Sequence, residues 1–140
     1  MVTSYTLDLF KDPFFIGFNH TLDRLNSIHN ASAHQSYPPY DIVKIDEDTY
    51  RVSLAVAGFD KKDIEVSVDN STLIVKGEIL DAEESGEILH KGIATRKFTR
   101  TFALGEYMEV IGAEFKNGML NIDVERIVPE EKKPKTIKVK

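Results

Sequence analysis

Between Tyr50 and Glu125 the chain repeatedly alternates apolar and polar residues one by one, and a period of two admits strands and little else. In YRVSLAV, Tyr50, Val52, Leu54 and Val56 fall on one side, and Arg51, Ser53 and Ala55 on the other. DIEVSVD repeats the pattern with Ile64, Val66 and Val68, and MLNIDVE repeats it with Leu120, Ile122 and Val124. TLIVKGE follows the turn pair Asn70-Ser71. Asn117-Gly118 lies between two strand-like runs, where both residues tolerate the positive φ of a type I′ hairpin. Strands with one apolar and one polar side pack antiparallel, one face on a core and one in water. Roughly six to eight short strands spaced by turns make an all-β antiparallel sandwich.

The alternating region, residues 38–127, is flanked by two segments that cannot form a core of their own. Residues 1–37 carry Phe10, Phe14, Phe15, Ile16 and Phe18, and then TLDRLNSIHN. There Thr21 is placed to N-cap a helix of about nine residues with Leu22, Leu25 and Ile28 on one face, a length marginal in isolation. A polar linker ends at Pro38-Pro39. Such an arm either packs back on the domain or is shared with other subunits and partners. Residues 128–140, VPEEKKPKTIKVK, read as an extended, solvated tail whose tip holds two stranded apolar residues, Ile137 and Val139. Residues 79–92, ILDAEESGEILHKG, are too long for a hairpin turn. They form either a loose surface loop or, as we expect, a short strand around Ile88 and Leu89 that pairs away from its own sheet.

Composition excludes several functions. A net charge of -5 over 140 residues is the wrong sign for a nucleic-acid binder. The absence of Cys removes disulfides, thiol catalysis and thiolate-bound metals, and suits a reducing cytoplasm. No signal-like N-terminus or run long enough to cross a membrane is present. His20, His29, His34 and His90 are scattered without ligand spacing, and no glycine-rich phosphate loop or nucleophile elbow occurs. The expectation is a binding or assembly protein without cofactor or metal, and no enzyme.

One side chain stands out within a strand. In RKFTRTFAL, Phe98, Arg100, Phe102 and Leu104 share a face, so Arg100 lies among apolar neighbours and needs a carboxylate or carbonyl partner. Either its guanidinium reaches the sheet edge, or it forms an ion pair that orients a subunit interface.

VAGFDKKDIEVSV, LIVKGE, FTRTFAL and AEFKNGML, in this order, closely resemble the α-crystallin domain of small heat shock proteins, the Hsp20 family. Ala113, Asn117, Gly118 and Leu120 match its A-x-x-x-N-G-x-L signature, and Ile137-Lys138-Val139 matches its C-terminal Ile-x-Ile/Val motif. The arm DPFFIGFNHTLDRL resembles the bacterial inclusion-body-binding class, while Ala57 before Gly58 departs from the more usual Pro-Gly. The resemblance implies an immunoglobulin-like sandwich and an ATP-independent holdase that keeps partly unfolded client proteins from aggregating. It further implies dimers formed by exchange of a strand around Ile88 and Leu89, with Arg100 at the interface. Ile137 and Val139 would then dock on a neighbouring dimer, in a groove lined by Ile64, Val66 and Val68 and by Ile111 and Ala113. The partners implied are further copies of the chain in a large homo-oligomer, unfolded clients held by the arm, and ATP-dependent chaperones that refold them. The competing reading is a non-oligomeric sandwich, a co-chaperone or scaffold for one native partner, which leaves Ile137 and Val139 without a role. A hydrolase or lectin on the same fold has no site to name.

Overall fold

Each of these alternating runs is a strand in the computed structural model of the chain, which describes residues 17–32, 37–80, 85–132 and 134–140. The chain divides into two units, Met1–Gln35 and Ser36–Lys140. In the first, helix α1 spans Asn19–Ser32. It is longer than the Thr21 start implied, because the Phe18 carbonyl already accepts the first helical bond, from the Leu22 amide at 3.1 Å. Thr21 is therefore inside the helix. Leu22 and Ile28 are half-buried and Leu25 is exposed. Phe18 is 40% exposed, whereas Phe10, Phe14, Phe15 and Ile16 lie outside the described residues.

The second unit holds β1 (Tyr40–Lys44), β2 (Thr49–Ala55), β3 (Ile64–Asp69), β4 (Thr72–Gly77), β5 (Phe98–Ala103), β6 (Met108–Lys116) and β7 (Met119–Arg126). They form two antiparallel sheets, β1-β2-β7-β6 and β3-β4-β5. Both two-residue hairpins follow from their turn pairs. Asn70 and Ser71 have φ of 47° and 55°, and Asn117 and Gly118 have φ of 52° and 74°, the left-handed pairing that suits the twist of the flanking strands.

The alternation read in the sequence becomes the core. Leu54, Leu73, Val75 and Ile122 come from the inward faces of both sheets and are wholly buried together with Val56, beside Val52, Phe98, Leu120 and Val124. Burial of such side chains is worth about 1.5–3 kcal/mol each and is the main force closing the two sheets on each other. Phe98 lies so close over Gly77 that any Cβ there would collide with its ring. Phe59 meets the same ring edge-on at 5.4 Å. On the outer face, Arg51 and Asp123 are ladder partners and join in a bidentate pair at 2.7 and 3.0 Å, which holds β2 and β7 in register.

Candidate functional site

The two long edges of the sandwich differ, and the difference begins with which strands end each sheet. Arg100 and Phe102 of β5 meet Tyr40 of β1 at 4.9 and 5.2 Å, so β5 lies over β1. The other terminal strands, β3 and β6, then fall on the opposite side of the sandwich.

At the β3/β6 side, inward-facing residues are left uncovered. Ile64, Val66 and Val68 pair with Gly77, Val75 and Leu73, all buried, so their side chains share the core face. Ile64 and Val66 are half-buried, but Val68 is 51% exposed. On β6, where the resemblance puts Ile111 and Ala113 in the groove, the ladder is interrupted by a bulge. Val110 pairs with Val124 and Gly112 with Asp123, which leaves Ile111 as the extra residue, 52% exposed. Past the bulge Ala113 pairs with the wholly buried Ile122 and so turns inward, yet it too is exposed. On both edge strands, then, residues that face inward are left uncovered.

The β1/β5 side is closed differently. All five residues of β1 are exposed, and Tyr40 and Ile42 pair with Leu54 and Val52, so they too face inward. An apolar cavity of about 310 Å³ opens there, with Ile42, Val52, Leu73, Phe102, Leu104 and Met108 in its walls. Among the described residues, the far edge of β1 pairs with no strand, so its main-chain groups form a template for pairing. Residues 85–97 form no strand within the chain, and Ile88 and Leu89 are 49% and 91% exposed.

Arg100 is 6% exposed and does not reach solvent. It donates from Nη2 to the Pro38 carbonyl at 3.2 Å and lies over the Tyr40 ring, while its Nε has no hydrogen-bond partner. Its partner is thus a carbonyl, one of the two kinds its burial demands. Tyr37 forms the rest of this strap. Its hydroxyl donates to the Ala94 carbonyl, and its ring lies between the Arg96 guanidinium at 4.9 Å and Phe98 at 5.9 Å. Burial raises the Tyr37 phenol above its usual range against the opposing charge of Arg96, so it remains a donor at neutral pH. Sequence reasoning missed Tyr37 and Tyr40. The signal was the aromatic pair enclosing two prolines in YPPY, an odd composition for a mere linker.

In the tail, residues 134–140 have no regular structure, and Ile137 and Val139 are 77% and 91% exposed. No group of three or more His, Asp or Glu is placed to hold a metal among the described residues, and no helix there is long and apolar enough to cross a membrane.

Acid should loosen this frame. The Asp48 amide and then Thr49 hold the Asp46 carboxyl below its ordinary value at the β1–β2 turn, and Arg51 does the same to Asp123. Carboxyls lowered in the fold stabilise it above their unfolded value and lose that contribution as pH falls through the lowered one. Thermal unfolding followed by circular dichroism from about pH 5 to about pH 2 should show a falling midpoint, with a shallower fall in Asp123→Asn. Equal slopes for the two proteins would remove the Arg51–Asp123 pair from the account.

Residues 42–140 match the Hsp20/alpha crystallin family. The chain is similar to the small heat shock protein IbpA of Escherichia coli, 40% identical over 124 residues, or 89% of this chain and 90% of IbpA. It is also similar to a solved small heat shock protein from Synechococcus phage S-ShM2, at 32% identity and a TM-score of 0.58, over 74% of this chain and 100% of that one. A solved small heat-shock protein from Xylella fastidiosa aligns at 29% identity and a TM-score of 0.56, over 76% of this chain and 98% of its own.

Proposed function

The chain belongs to the Hsp20/alpha crystallin family, and from that premise we propose how this sandwich works as an assembly. It is an ATP-independent chaperone of the small heat shock class, which binds partly unfolded proteins and limits their aggregation. The observation that carries the assembly is the set of apolar side chains that face inward and remain uncovered, Val68 and Ala113 at one edge and Tyr40 and Ile42 at the other. A monomer would leave these surfaces in water; copies of the same chain offer the pieces that fit them.

At the β1 edge the piece is the segment around Ile88 and Leu89 of a second copy, added as a strand, which gives a dimer by exchange. Arg100 supports that interface from beneath, by holding Pro38 and Tyr40. At the β3/β6 edge the piece is the tail. Ile137 and Val139, at i and i+2 of an extended segment, point to one side, and Lys138 points to water. They enter the slot of a neighbouring dimer between Ile64, Val66 and Val68 and the small Ala113, with Ile111 bordering it. A distinct high-order structure is described for the Xylella fastidiosa protein, which supports an assembly beyond the dimer.

The chain then works as an arm, 1–37, a domain, 38–127, and a tail, 128–140. The arm's Phe10, Phe14, Phe15, Ile16 and Phe18 form the adaptable apolar surface that meets clients, in the cytoplasm, before ATP-dependent chaperones take them over. The test is a client protein heated without nucleotide, with aggregation read by light scattering. Roughly equimolar protein should suppress the signal, as one arm per client chain would require. An unchanged aggregation curve with the protein still folded overturns the reading.

A further inference from the structure

The arm and the exchange loop are far apart in sequence, yet they are anchored at the same place. Residues 37–40, where the arm enters the domain, are gripped by alternate residues of β5 and its lead-in. Arg96 and Phe98 hold the Tyr37 ring, Arg100 holds the Pro38 carbonyl, and Arg100 with Phe102 holds the Tyr40 ring. Pro38 is among the wholly buried residues, and the Pro39 carbonyl accepts the Ala55 amide at 2.9 Å, so the strap is also fixed to β2. The loop between Ser85 and Lys97 has no ladder of its own and is mostly exposed. Its base is held where the Tyr37 hydroxyl meets the Ala94 carbonyl and where Thr95 packs against Gly58.

We propose that Tyr37 is a positioning residue that ties the root of the N-terminal arm to the base of the exchange loop, so that a change in one is felt in the other. The proposal rests on the reading of the segment around Ile88 and Leu89 as the exchanging strand and of the arm as the client surface. Segments with exposed backbone and few buried contacts open at low free energy. One hydrogen bond at the base of such a loop is therefore a large share of what keeps it closed. A client that orders or displaces the arm shifts the strap, and the strap releases Ala94. The loop then opens more often, and subunits leave and rejoin faster. The device needs no nucleotide, because client binding itself distinguishes the held from the released strap.

The deciding experiment uses the full chain with Tyr37→Phe, which removes the hydroxyl but keeps the ring between Arg96 and Phe98. Amide hydrogen exchange read by mass spectrometry should be roughly five-fold faster in peptides covering 85–97, the change one neutral hydrogen bond supports. Peptides from β2 and β7 should be unchanged, and mixed labelled and unlabelled particles should exchange subunits faster by a similar factor. Tyr37→Ala, which also removes the ring, should exceed both effects. Wild-type exchange in the loop for both variants overturns the proposal, as does an increase spread evenly over all strands. If Tyr37→Ala does not fold, Tyr37→Phe decides alone. A wild-type chain that proves monomeric would sink the strand-exchange reading and the proposal with it, whereas an oligomer whose loop keeps wild-type exchange in Tyr37→Phe overturns the proposal alone.

Discussion

Replacing Ile137 and Val139 together by alanine is expected to break the proposed oligomer down to dimers of about 32 kDa, twice the 15.8 kDa chain. Both side chains are largely solvent-exposed in the free tail, at 77% and 91%, so nearly all their apolar surface is available to be buried in the slot. Truncation to alanine removes five carbons per tail, about 4 kcal/mol at roughly 0.8 kcal/mol per buried methylene. That is on the order of a thousand-fold in the affinity of each tail, before the tail's ordering cost is counted. One tail contact is weak and reversible, but a particle is held by many, and linked contacts multiply. Loss of all of them together removes the links between dimers. The dimer itself should persist, because a strand added to β1 is held by main-chain hydrogen bonds that alanine at 137 and 139 does not touch. Multi-angle light scattering of the two proteins at equal concentration checks this. Val68→Glu, which puts a charge in the slot while leaving the tail intact, should give the same dimer. A double variant that keeps the wild-type mass would remove the tail from assembly; a monomer would move it to the dimer interface.

The two halves of that contact were not equally legible in the sequence. Ile64, Val66 and Val68 could be put on one face from period two alone, and the ladder places all three opposite buried residues of β4. That Val68 faces the core and still lies half in water could not be read, because exposure at an edge depends on what stands next to it. Ile111 and Ala113 share parity in the sequence, but the bulge between Val110 and Gly112 leaves Ile111 without a ladder partner while Ala113 pairs with Ile122, and a bulge leaves no periodic mark. The demand of Arg100 for a partner was legible from chemistry. The identity of that partner was not, since Pro38 is brought to it only by the pairing of β1 with β2 and the closing of β5 over both. Local signals fared better: the Asn117-Gly118 turn needs no distant residue, and its geometry follows from the two side chains themselves.

Deletion of residues 1–36 is expected to leave a folded sandwich that still dimerises but protects clients poorly. The deletion falls at the boundary of the two units, and Tyr37, Pro38 and Tyr40 keep their places on β5. Every buried core residue, from Val52 to Val124, is retained, so the unfolding midpoint should move by only a few degrees. What is lost is half of the phenylalanine. Of the eight in the chain, Phe10, Phe14, Phe15 and Phe18 go, while Phe59 and Phe98 are buried and Phe102 and Phe115 pack against the core. A chaperone without selectivity needs apolar surface that adapts to many shapes, and side chains fixed in a sandwich cannot do so. The truncated protein should therefore need at least about ten-fold more protein for the same suppression of a heated client, the loss of one well-buried aromatic anchor per contact. If instead it protects as well as the full chain, clients must be held by the uncovered residues of the sandwich, Tyr40 and Ile42 or Val68 and Ala113. A competing tail peptide containing TIKVK would then separate those two edges, since it should displace clients only from the β3/β6 slot.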